Sequence, residues 1–165
     1  MRPGSVVAVA LLSTVTITTP GHAAPTAKVW TCMRPAIKPQ RIYLWCYHAD
    51  IWTQGMRWSR RTARTVTASG DYVVNTCAIS CAEGPFLKYP ARFTFSRPEM
   101  VKAFRGYQTA LRRNATMFTR VRVSFSGAPP DGWTGQPYIL VKERNPGTGS
   151  CELVWEHRGE KYKPC

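Results

Sequence analysis

The chain has 165 residues, with 23 lysines and arginines against 9 aspartates and glutamates, and six cysteines. A length of this order suits one domain with its own core, and no apolar run approaches the roughly 20 residues that a spanning helix needs, so no helical membrane anchor is expected. The charge balance predicts attraction to polyanions such as teichoic acids, anionic lipid head groups, acidic polysaccharide or nucleic acid, without choosing among them. Sixteen of the basic residues are arginines, and a solvated surface that aids solubility is the plainer account of them.

Met1 and Arg2 precede an apolar run from Val6 to Leu12 and a weaker β-branched stretch reaching Ile17, with Pro20 and Gly21 beyond. This is the order of an export signal, and Gly21-His22-Ala23 places small residues where a signal peptidase needs them, so residues 1–23 are expected to be removed after Ala23. Loss of Arg2 leaves 22 basic against 9 acidic residues, a net charge of +13 on a mature chain of about 140 residues. All six cysteines, Cys32, Cys46, Cys77, Cys81, Cys151 and Cys165, follow the cut. An even number in a secreted, extracellular chain reads as a disulfide framework. Cys151 with Cys165 is the favoured pair, because both lie in one short C-terminal segment, and the other pairings stay open. Cys77 and Cys81 read as structural, since no second ligand pair at zinc-site spacing accompanies them.

Residues 24–40 hold three prolines without periodicity and read as an irregular arm tied down by Cys32. Residues 41–165 read as one β-rich domain. Strand formers fill Arg41 to Tyr47, Met56 to Trp58 and Thr62 to Ala68, Gly70-Asp71 signals a turn, and Tyr72 to Asn75 resumes the strand pattern. Ala91, Phe93 and Phe95 alternate with Arg92, Thr94 and Ser96, as Val121, Val123 and Phe125 do with Arg120, Arg122 and Ser124: two strands with one wet face each. Beyond the Pro129-Pro130-Asp131-Gly132 turn, Tyr138 to Lys142 and Cys151 to Glu156 form a closing hairpin around Asn145-Pro146-Gly147. One segment departs from this pattern. Ser96, Pro98 and Glu99 resemble a helix N-terminus, and Met100, Phe104, Tyr107 and Leu111 recur at helical spacing, which predicts a helix inserted near 97–112. Its opposite face would carry Lys102, Arg105, Arg112 and Arg113, either in water above a core or laid on an anionic surface. The fold class expected is mainly β, a sandwich or small barrel with this one helix and disulfide staples.

Few groups remain for chemistry. His48-x-Asp50 could pair a base with its orienting carboxylate, and Glu152, Glu156 and His157 stand at the other end of the chain. Successive strand residues face opposite ways, so Glu156 and His157 should diverge, whereas His48 and Asp50 could converge. A secreted ribonuclease would use such a set, with His48 and His157 as acid and base and arginine on the phosphate. Exposed loop histidines are the simpler reading. No phosphate loop, nucleophile elbow, zinc-protease helix or calcium loop is present, so no metal or other cofactor is implied. Cleavage before His22 would create an N-terminal histidine of the kind copper-dependent polysaccharide oxygenases use, but it requires an unusual cut after Gly21. Six tryptophans and seven tyrosines interleave with arginines and would stack on sugars or bases, or fill a small β core. Asn114-Ala115-Thr116 matches a glycosylation acceptor that matters only in a glycosylating host.

Ile42-x-Leu44-x-Cys46 with Asp50 beyond, Trp58-Ser59, Ala68-x-Gly70, Cys77-x3-Cys81-Ala82-x-Gly84, Tyr89-Pro90 and Ser96-x-Pro98 resemble a group of small secreted actinobacterial proteins of unassigned function. Arg61 stands where that group often has tryptophan, Ala78-Ile79-Ser80 lacks its central proline, and the segment expected as a helix looks inserted. The resemblance implies export and a β-rich domain, and supplies no catalytic residue. The function expected is therefore a secreted, basic, non-catalytic domain binding an anionic polymer or membrane surface, without sequence-specific nucleic-acid recognition. A hydrolase using His48 and His157, and an antimicrobial or toxin acting through residues 97–113, are the alternatives.

Overall fold

The computed structural model describes residues 26–46, 50–76, 85–106, 110–144 and 148–157. Eleven strands account for them: β1 Val29–Trp30, β2 Pro35–Ala36, β3 Ile42–Tyr43, β4 Ile51–Arg61, β5 Thr65–Asn75, β6 Phe86–Val101, β7 Phe104–Arg105, β8 Ala110–Leu111, β9 Ala115–Phe125, β10 Tyr138–Arg144 and β11 Cys151–His157. Seven form one antiparallel sheet in the order β11-β10-β9-β6-β5-β4-β3, curled into a half-barrel; β1-β2 and β7-β8 are small separate ladders. No helix is present among the described residues, and none is long and apolar enough to cross a membrane.

The alternation read from residues 91–96 and 120–125 is the reason the sheet has a dry and a wet face. Ala91, Phe93, Phe95, Val121 and Val123 are buried on the concave side, while Arg92, Arg122 and Ser124 are exposed on the convex side. Phe93 and Phe95 are wholly buried, each contributing roughly 2–3 kcal/mol of apolar burial. Curl comes from β4. Register slips by one residue between Gln54 and Arg57 and again between Trp58 and Arg61, two bulges that bend the strand and sharpen its twist. Gly55, at φ 62°, supplies the left-handed residue of the first, and Gly70 lies across from it because any Cβ there would stand 2.7 Å from the Gln54 carbonyl oxygen. The turn expected at Gly70-Asp71 is accordingly absent: β5 runs straight through both residues, and the glycine marks close backbone approach.

The helix expected near 97–112 is also absent. β6 continues to Val101, paired with β9 down to Val101↔Ala115, and the chain then folds back through β7 and β8, with Phe104↔Leu111 and Arg105↔Ala110 opposed. Ser96, Pro98 and Glu99 are strand residues, and Met100 is 61 % exposed rather than on a buried helical stripe. Tyr107 lies outside the described residues. Helix propensity is a weak local preference, and a long antiparallel ladder outweighs it. Pro98 is tolerated because β5 stops pairing at Ser96, leaving β6 an edge strand on that side; Pro90 sits where the pairing with β9 has ended, which is the edge position open to proline.

The N-terminal arm closes the half-barrel. Its described part forms the β1-β2 ladder and adds Ala27, Val29, Trp30 and Cys32 to the core. Lys28 N donates to Thr116 O (2.8 Å) and Phe118 N to Lys28 O (2.9 Å), so the arm docks beside β9 where β10 has peeled away. Trp30 is wholly buried; its Nε1 donates to Leu153 O (2.6 Å) and Trp155 Nε1 donates to Trp30 O (3.0 Å), a reciprocal clasp between the arm and the last strand. The Arg61 guanidinium donates to Ala27 O and lies 5.6 Å over the Phe118 ring. Cys32 is bonded to Cys46, which pins the arm to the end of β3. Cys151 is disulfide-bonded as well, while Cys77, Cys81 and Cys165 lie outside the described residues, and with them the expected pair of Cys151 and Cys165. A bridge seated against the core is the covalent chemistry of an oxidising compartment.

Candidate functional site

Two concavities carry the charged and aromatic residues singled out in the sequence. The first is an open groove of about 460 Å³ between the arm and the β7-β8 hairpin. Leu111 and Asn114 line it, and Lys28, Arg34, Arg112 and Arg113 bring four cations to it; no carboxylate contributes to its lining among the described residues. Lys28 is half-buried by its pairing with β9, and the three arginines are exposed. The hairpin is held by the Ala103 amide, which donates to Asn114 Oδ1 (2.8 Å), and by Phe104, whose ring lies 6.0 Å from that of Trp30. Of the four cations expected on a helix, Arg112 and Arg113 thus meet in a groove, while Lys102 and Arg105 are exposed nearby and do not line it. Lys28 and Arg34 could not have been added from sequence, because nothing local relates them to residues some 80 positions away. A basic convex face adjoins this. Arg57 opposes Ser69, Ser69 opposes Arg92, and Arg92 opposes Ser124, with Arg122 opposite Thr94 in the next row, so arginines and hydroxyls alternate across four strands.

The second concavity is a pocket of about 180 Å³ at one end of the half-barrel. Tyr72, Tyr138 and Trp155 form its buried floor, and Trp45, Trp133 and His157 line its half-buried mouth. Trp133 is delivered by the Asp131-Gly132 turn, where its amide donates to Pro130 O (3.1 Å). Its ring stacks on His157 at 5.1 Å and meets Tyr72 edge-on at 5.7 Å. The Tyr72 and Tyr138 hydroxyls are hydrogen-bonded at 2.6 Å. Burial pushes the Tyr72 phenol up to about 12, the bond to Tyr138 offsetting only part of that rise, so Tyr72 stays neutral under physiological conditions.

The catalytic candidates do not assemble here among the described residues. His157 lines the aromatic pocket, with Nε2 3.1 Å from Gln136 O and 3.4 Å from Thr134 Oγ1. Glu152 is buried on β11 directly opposite the buried Glu143 of β10, away from the His157 ring. Asp50 sits at the start of β4, its carbonyl accepting from Asn75 N (2.8 Å) and its Oδ1 buried without a hydrogen-bond partner. His48 lies outside the described residues. Glu156 and His157 face opposite ways, opposed to Ile139 and Tyr138 respectively, as alternation requires. No group of three or more His, Cys, Asp or Glu is placed to hold a metal among the described residues.

No family model, curated protein or solved structure matches this chain.

Proposed function

We propose that this protein is an exported, non-catalytic domain that binds an anionic polymer of the cell envelope, and that the groove between the arm and the β7-β8 hairpin is where the polymer lies. The observation that carries this reading is the convergence of Lys28, Arg34, Arg112 and Arg113 in one open groove without a described carboxylate. Cations concentrated in a concavity raise the local concentration of a polyanion more than the same charges scattered over a surface do. An open groove suits a chain passing through it, and the convex arginine and hydroxyl face offers a second, shallower track. The signal-like N-terminus and the disulfides are consistent with the same setting. The antimicrobial alternative relied on an amphipathic helix, and the described part of that segment is strand and hairpin instead.

Elution from a heparin matrix tests the groove against net charge. Replacing Arg34, Arg112 and Arg113 together by Ser is expected to weaken binding by about ten- to a hundredfold and to flatten its salt dependence by roughly one unit of slope per lost contact. Replacing the exposed Arg57, Arg92 and Arg122 of the convex face removes the same charge and should cost much less. Equal losses in the two triple variants would refute the groove and leave only a generally basic surface.

A further inference from the structure

We infer that the aromatic pocket binds a small organic cation of the quaternary or methylated ammonium class. The electrostatics of its lining run against those of the rest of the molecule. The chain carries a net charge of +14, yet among the described residues no lysine or arginine lines this pocket, while two carboxylates, Asp131 and Glu143, do. Three tryptophans and two tyrosines supply the walls and floor. Aromatic faces carry negative potential and attract a cation, tryptophan most strongly. The polar groups on its floor are already committed, the Tyr72 and Tyr138 hydroxyls to each other and the Trp155 indole to Trp30 O, and at the mouth His157 Nε2 is engaged with Gln136 O. A sugar ring needs hydrogen bonds along its edges, and the hydroxyls and indole of this floor are engaged with the protein itself. A quaternary ammonium group needs none; it gains from π faces, from the exposed Asp131 carboxylate at the mouth, and from leaving water that holds it weakly. A volume of about 180 Å³ takes such a head group and not a polymer.

The test is a tryptophan-fluorescence titration of the full protein with choline chloride against sodium chloride at matched ionic strength and pH 8. The neutral carbon isostere 3,3-dimethylbutan-1-ol separates charge from shape. Choline is expected to bind about tenfold more tightly than the isostere. Asp131→Asn, at an exposed turn position that asparagine also suits, should weaken choline about threefold or more and leave the isostere unchanged. The Arg34, Arg112 and Arg113 triple variant should bind choline as the unaltered protein does, which keeps this site separable from the polyanion groove. Equal affinity for choline and isostere, no response to either up to tens of millimolar, or tighter binding of a neutral hexose would each overturn the inference.

Discussion

Replacing Tyr72 by Phe removes one half of a buried hydroxyl pair and, with it, one of the chain's alkaline titrations. In the folded protein the Tyr72 phenol is raised from its ordinary value of 10.0 to about 12, chiefly because burial penalises the phenolate. Its contribution to stability is therefore fully present below pH 10 and is lost as pH rises from 10 toward 12, the interval in which the unfolded chain has released a proton that the folded one still holds. At pH 11 the loss is about 1.4 kcal/mol relative to pH 8, one proton over one pH unit. At pH 8 the substitution should cost about 1–2 kcal/mol, from the hydrogen bond broken at 2.6 Å. Urea unfolding of both proteins, followed by tryptophan fluorescence at pH 8 and pH 11, measures the two terms. The gap between them is expected to narrow by about 1.4 kcal/mol at the higher pH, so that Tyr72→Phe becomes nearly neutral there. A gap that does not change with pH would show that Tyr72 titrates normally, and that its hydroxyl is not desolvated on the pocket floor.

Two further outcomes probe how the half-barrel is curled and closed. Gly70→Ala places a Cβ 2.7 Å from the Gln54 carbonyl oxygen and 3.3 Å from that of Gly55, so it should destabilise by about 2 kcal/mol, whereas Gly127→Ala, with nothing within 4 Å of its Cβ, should stay within about 0.5 kcal/mol; urea midpoints that move together would refute the close approach at the bulge. Cys32→Ala with Cys46→Ala opens a bridge of sequence separation 14 and should cost about 3 kcal/mol, or roughly 10 °C in Tm by calorimetry; an unchanged Tm would mean that the Trp30 clasp holds the arm by itself.

Period-2 alternation at 91–96 and 120–125 was legible in the sequence because it is a local property of each strand, and it correctly assigned Phe93, Phe95, Val121 and Val123 to the core. The closing hairpin was legible for the same reason, its two strands meeting at Tyr138↔His157 and Arg144↔Cys151. Two local readings failed where tertiary pairing overrode them. Gly70 looks like a turn residue until β4 is laid against it, and Met100, Phe104 and Leu111 look helical until β9 pairs with β6 as far as Val101. Of the candidate site residues, Arg112, Arg113 and His157 were readable as residue types that carry charge or protons, but not as members of any particular cavity.

What the sequence determined by itself is the class of molecule: strongly basic, mainly β, with six cysteines and an aromatic content of 12 %. Each of these is a sum over residues or a pattern between near neighbours. Which residues meet was decided only by the tertiary structure. The Tyr72 and Tyr138 hydroxyls are 66 positions apart, the Trp30 indole and Leu153 carbonyl 123 apart, and Lys28 reaches Arg112 only because the arm docks where β10 leaves β9. Such meetings depend on the register of a curled sheet, which the bulges of β4 help to set, and no local periodicity encodes them.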